Sequence, residues 1–152
     1  MKCTFITCLF ILLFQNIEFD GKVIGIVDGD TIIVLNENNE QIKIRLEGID
    51  CPESNQDFGN RAKQEVSGLC FKKNVHVIQS GTDRYGRMLA NIYLNDLCIN
   101  KELLKRGMAW HFKKYNSDAE LAKLEIEARK EKIGLWSHPN PEAPWDFRAR
   151  KK

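Results

Sequence analysis

The sequence predicts an α+β protein, a small barrel of five short strands under a helical cover. Runs of alternating β-branched and apolar residues, each bounded by turn signals, recur five times between residues 23 and 93. Helix-period runs lie at 58–70 and again beyond residue 100. The chain's 152 residues suit one domain with a modest core, with no repeat or low-complexity tract.

Val23, Ile24, Ile26 and Val27 form the first strand, and residues 31–34 the second. Asp28-Gly29 between them signals a type I′ hairpin, since Gly accepts the positive φ that turn demands. Asp30 opens the second strand, where β-propensity disfavours a carboxylate, and the turn does not need it. Asn36-Glu37-Asn38-Asn39 turns the chain into a third strand at 41–46. There Ile42, Ile44 and Leu46 share one face, and Lys43 and Arg45 the other. Arg45 is either a rigidly presented anion ligand or a solvated strand cation. Asp50-Cys51-Pro52-Glu53 then leaves the sheet, with Pro52 ending the ladder. Its two carboxylates serve a cation or a water, or are loop charge.

Residues 58–70 read as a helix with Phe58, Ala62, Val66 and Leu69 on its buried face. Strands follow at 75–79 and 88–93. The loop between them ends in Asp83-Arg84-Tyr85-Gly86-Arg87, where a tyrosine offers a stacking face and two arginines offer planar donors for phosphate. The bland alternative is a solvated turn. Asn95-Asp96 makes another tight turn, Asn100 caps a short helix through Arg106, and Gly107 stops it.

Residues 108–115 interleave aromatics with cations, which suits base stacking beside backbone attraction, although Trp110 and Phe112 fit the core better. Ser117-Asp118-Ala119-Glu120 reads as a capping box for the last helix. Leu121, Leu124 and Ala128 form its buried stripe, its Lys and Glu residues a solvated face, and Gly134 its end. Pro139, Pro141 and Pro144 predict an extended tail at 138–152, anchored by Trp145 and Phe147 and ending in basic residues.

Lys2 and an uncharged, largely apolar run of about a dozen residues match a signal peptide over residues 1–17, being too short for a membrane span. The residues around 14–17 lack the small side chains of a cleavage site, which leaves an uncleaved anchor or a different start open. Without that leader, 22 basic residues face 21 acidic ones, so any positive potential is local. Cys51, Cys70 and Cys98 then remain, an odd number with no Cys-x-x-Cys spacing, which excludes a disulfide framework and a zinc site. His76, His111 and His138 show no ligand spacing and read as surface or loop imidazoles. An EF-hand fails because Ile32, Ile33 and Asn39 fall where an acid, the glycine and the closing glutamate belong.

Taken together and in order, Asp28-Gly29-Asp30-Thr31, Arg45, Asp50-Cys51-Pro52-Glu53 and Asp83-Arg84-Tyr85-Gly86-Arg87 resemble the staphylococcal nuclease (thermonuclease) family, from about residue 22 to 136. The resemblance implies a five-stranded OB-fold barrel with about three helices at 18–137. It also implies a calcium-dependent endonuclease that cleaves DNA and RNA, leaves 3′-phosphates and acts as a monomer; the leader makes it secreted or periplasmic, or membrane-tethered if uncleaved. Asp30, Asp50 and the Cys51 carbonyl match the family's Ca²⁺ ligands, Glu53 its general base, and Arg45 and Arg87 its phosphate clamp. Arg84, Tyr85 and Tyr115 match substrate-facing positions. Cys51 stands where the relevant member of the family has Thr, and the shorter 53–59 loop lacks the family's lysines and their pull on DNA. The competing class is a non-catalytic OB-fold nucleic-acid-binding module, which would have no use for Asp30, Arg45, Asp50, Glu53 and Arg87 together.

Overall fold

Alternation near the start of the chain folds into three antiparallel strands in the computed structural model, which describes residues 17–151. These are β1 (Glu18–Ile26), β2 (Thr31–Asn36) and β3 (Gln41–Leu46), with Thr31 opposite Arg45 and Ile32 opposite Ile44. A two-residue strand, β4 (Ile49–Asp50), and a helix, α1 (Gly59–Cys70), come next. β5 (Asn74–Thr82) returns beside β1, and β6 (Met88–Leu94) pairs with β5. A parallel pairing of β3 with β6 closes these five strands into the expected OB-fold barrel.

β7 (Leu97–Cys98) leads into α2 (Ile99–Lys105), and β8 (Trp110–His111) pairs with β4. Then come α3 (Ala119–Lys130), a 3-10 turn (Gly134–Ser137) and α4 (Pro144–Arg150). Val23, Ile32, Ile44 and Ile92 fill the barrel beneath Ala62 and Val66 of α1 and Leu103 and Leu104 of α2. Trp110, Ala128, Leu135, Trp136 and Ala143 form a second cluster, against which Phe58 and Trp145 pack.

Several local expectations are corrected. Gly29 is absent from the positive-φ residues, so Asp28-Gly29 does not make a type I′ turn. The glycine is needed for space, since a Cβ there would sit 2.8 Å from the Cβ atoms of both Ala62 and Cys51. Asn100 lies inside α2 rather than capping it, fully buried, bonded to the Ile92 N–H and to the Glu47 and Ala90 carbonyls. Asp118, not Ser117, caps α3 by accepting from the Glu120 and Leu121 amides.

Glu125 is no solvated residue of α3. It is buried against Arg129, whose guanidinium lies 4.6 Å from the Trp110 ring and 4.0 Å from the Trp136 ring. His111 is buried too, with Nε2 2.9 Å from Asn116 Oδ1. The described residues hold four helices instead of three, because the tail is not extended throughout: Pro144 begins a helical turn. Cys51, Cys70 and Cys98 are all buried free thiols. The leader expected at 1–17 lies, but for Ile17, outside the described residues, and no described helix is long and apolar enough to cross a membrane.

Candidate active site

Short elements at the barrel rim deliver the acids. Asp30 immediately precedes β2; its carbonyl accepts from the Leu46 N–H at 2.8 Å, and its Oδ2 accepts from the Cys51 N–H at 2.7 Å. Asp50 sits on β4, held against Trp110 by the pairing with β8, and its side chain is almost wholly buried. Arg45, at the end of β3, joins the two. Its Nε lies 3.3 Å from Asp30 Oδ1, and its Nη2 donates to Asp50 Oδ1 at 3.0 Å. Nη1 donates to the Leu46 and Ile49 carbonyls at 3.0 and 2.7 Å. Arg45 is thus a buried organiser of both carboxylates, and little of its fork remains for another anion.

Burial pushes the Asp30 carboxyl up to about 7, and the neighbouring charges of Asp28 and Asp50 add to this against the opposing pull of Arg45 and the Cys51 N–H. Burial works against charge on Arg45, yet Asp30 and Asp50 hold its guanidinium above the ordinary value. The Cys51 thiol is driven well above its usual range by burial first and by Asp30 next, so it is a packed thiol and no nucleophile at neutral pH.

Glu53, half-exposed, stands just beyond Pro52. Its loop is pinned by Gln56, whose Oε1 accepts from the Glu53 N–H at 3.1 Å and whose Nε2 donates to the Glu142 carbonyl at 2.8 Å. Arg148 of α4 ties Glu53 to Asp50, through Nη1 to Glu53 Oε1 at 2.7 Å and Nη2 to Asp50 Oδ2 at 2.7 Å. Arg87 approaches from the β5–β6 loop. There Gly86 takes a positive φ, and the Asp83 carboxylate accepts from the Tyr85 and Arg87 amides and from Arg87 Nε at 2.7 Å. Arg87 Nη1 also reaches Thr31 Oγ1 at 3.4 Å.

These groups line one cleft of about 1300 Å³. Arg84 and Tyr85 on one part of its rim and Tyr115, Lys113 and Lys114 on another belong to the same cleft. Tyr85 and Tyr115 are 69% and 67% exposed, so both rings are open to a ligand. Arg84 lies 4.8 Å over the Tyr85 ring, and Tyr115 meets Phe112 edge-on at 4.9 Å.

Residues 43–138, more than half of the chain, match the family model described as staphylococcal nuclease homologue. The chain belongs to the staphylococcal nuclease family. It is 42% identical over 146 residues to a micrococcal nuclease of Shigella flexneri, covering 89% of this chain and 83% of that protein. An uncharacterized endonuclease of Haemophilus influenzae is 41% identical over 131 residues, 86% of this chain and 74% of its own length. The staphylococcal-like nuclease CAN1 of Arabidopsis thaliana is 42% identical over 113 residues, 74% of this chain and 35% of that protein. Family membership places the chain among nucleases, hydrolases that act on nucleic acid.

Within this nuclease fold, all nine positions singled out in the sequence line the same cleft: Asp30, Arg45, Asp50, Cys51, Glu53, Arg84, Tyr85, Arg87 and Tyr115. Sequence reasoning missed Arg148, which it left in a basic tail. Its partners Asp50 and Glu53 lie 98 and 95 positions away, so no local pattern announces it. Among the described residues no three His, Cys, Asp or Glu side chains form a metal-holding group. The expected set does not require three, being two carboxylates and a main-chain carbonyl. All are hard oxygen donors, which fit a calcium ion that takes its further ligands from water or substrate.

Proposed function

We propose that this nuclease is a calcium-dependent endonuclease that hydrolyses phosphodiester bonds of DNA and RNA and leaves 3′-phosphates. The observation that supports it best is the meeting of Asp30 and Asp50 on Arg45, with Glu53 beside them and Arg87 in the same cleft. Asp30, Asp50 and the Cys51 carbonyl would hold the ion, which when bound supplies positive charge to an anionic phosphate.

Glu53 takes the proton of a water whose oxygen bonds to phosphorus. The bond from phosphorus to the 5′ oxygen breaks, the departing oxygen takes a proton from solvent water to become a 5′ hydroxyl, and the phosphate stays on the 3′ side. Arg87, paired by Nε to Asp83, keeps much of its fork for the phosphoryl oxygens and acts through its positive charge rather than by giving up a proton. Arg45 keeps the two metal-binding carboxylates together and adds to the same field. Tyr85 and Tyr115 offer stacking faces, and Arg84 a further cation, to the nucleotides on either side. A non-catalytic binding module would gain nothing from gathering Asp30, Asp50 and Glu53 where they repel phosphate. Export by the apolar leader and action as a monomer belong to the same proposal.

Purified protein on plasmid DNA and on RNA tests this reading. Cleavage is expected with calcium, weakly with magnesium, whose demand for near-octahedral ~2.1 Å geometry makes it a poor substitute, and not with EGTA. Fragment ends are expected to resist polymerase extension until a phosphatase is added. Undiminished cutting in excess EGTA overturns the calcium assignment.

A further inference from the structure

Helix α4 brings to this site a cation that none of the four matched motifs contains. Arg148 Nη2 donates to Asp50 Oδ2 at 2.7 Å, and Nη1 to Asp50 Oδ1 at 3.2 Å and Glu53 Oε1 at 2.7 Å. Arg45 also donates to Asp50 Oδ1, so both oxygens of a carboxylate that is 1% exposed face guanidinium nitrogens. Arg148 is seated rather than trailing. Phe147 beside it is buried, Ala143 joins the tryptophan cluster, and Gln56 binds the Glu142 carbonyl. Burial opposes charge on Arg148, but its bonds to Asp50 and Glu53 hold it firmly ionised.

A bidentate guanidinium and a calcium ion seek the same carboxylate lone pairs. Glu53 Oε1, which accepts from Arg148 Nη1 at 2.7 Å, likewise turns a lone pair to the guanidinium rather than to a water. We propose that Arg148 is an internal cation that competes with the metal for Asp50 and holds Glu53 in reserve, so that metal binding shifts Arg148 and is coupled to the seating of α4. This rests on Asp50 being a metal ligand, as proposed above. Coupling of this kind is reciprocal: whatever strengthens the Arg148 contacts weakens the metal, and the converse.

Calorimetric titration of calcium into the chelator-stripped full chain, without nucleic acid, tests it in wild type, Arg148→Gln, Arg148→Lys and Arg150→Gln. Arg150 pairs with Glu142 and touches neither acid, so its loss removes the same charge from the same helix. Arg148→Gln is expected to bind calcium at least about tenfold more tightly, within the usual range of coupling between sites. Arg148→Lys, which keeps the charge but loses the fork, should fall between. Arg150→Gln should stay within about twofold, since exposed charges at that distance are screened. A folded Arg148→Gln that binds calcium no more tightly than wild type overturns the proposal, as does an equal gain in Arg150→Gln. If Arg148→Gln does not fold, Arg148→Lys decides, and unchanged affinity there is the contrary result. Calcium binding by Arg148→Gln but not by wild type supports competition in its strongest form. Binding by neither sinks the calcium assignment and this inference together.

Discussion

Cys51 serves the site with its main chain and the core with its side chain. Its N–H holds Asp30 Oδ2 at 2.7 Å, while its thiol is buried where a Cβ on Gly29 would come within 3.1 Å of the sulfur. A thiol at this position therefore leaves the proposed carbonyl ligand intact. Cys51→Ser is expected to lose about 1–3 kcal/mol of stability, the cost of a buried hydroxyl without a partner, and to keep its calcium affinity. Chemical denaturation and calorimetry read the two effects separately, and a folded variant that no longer binds calcium would put the thiol itself in the site. At this scale Asp30 was legible because a carboxylate at the start of a strand breaks a local rule, while Asp50 and Glu53 stood out only through the family resemblance. Gly29 was misread because Asp-Gly looks the same whether it is selected for φ or for room. Arg148 was illegible because a terminal arginine in a basic run carries no sign of a partner almost a hundred residues away.

Elements of four or more residues with a clear period were readable, and the two-residue pairing of β4 with β8 was not. That pairing fixes Asp50, yet two residues show no periodicity. The prolines of the tail pointed to extended chain, but Pro144 occupies the first helical turn, where its missing N–H costs nothing. Helix α4 is a short terminal element held by Phe147 and by neighbours in the tryptophan cluster, so it is expected to open locally. Phe147→Ala should strip hydrogen-exchange protection from the amides of 146–150 and leave those of β1, β2 and β3 protected. Loss of protection throughout the barrel would show that α4 is instead integral to global folding.

For the molecule as a whole, alternation announced strands and helices, while closure came from the family resemblance. The parallel contact of β3 with β6 joins segments some forty residues apart and leaves no trace in local periodicity. Closure has a functional consequence, because it brings Arg87, just before β6, to the cleft that holds Arg45 at the end of β3. Asp30 just before β2, Asp50 on β4, Glu53 from the following loop and Arg87 from the β5–β6 loop thus line one cleft, as the proposed metal ligands, base and phosphate clamp must. The proposed hydrolysis depends on Glu53 acting on the attacking water in that cleft. Turnover of Glu53→Gln at saturating calcium, with folding and calcium binding verified, tests it most directly. The variant keeps the shape and loses the basicity, so its rate is expected to fall by roughly 10²–10⁴-fold with little change in substrate affinity. A folded, calcium-bound Glu53→Gln protein that cleaves at the wild-type rate would contradict the account.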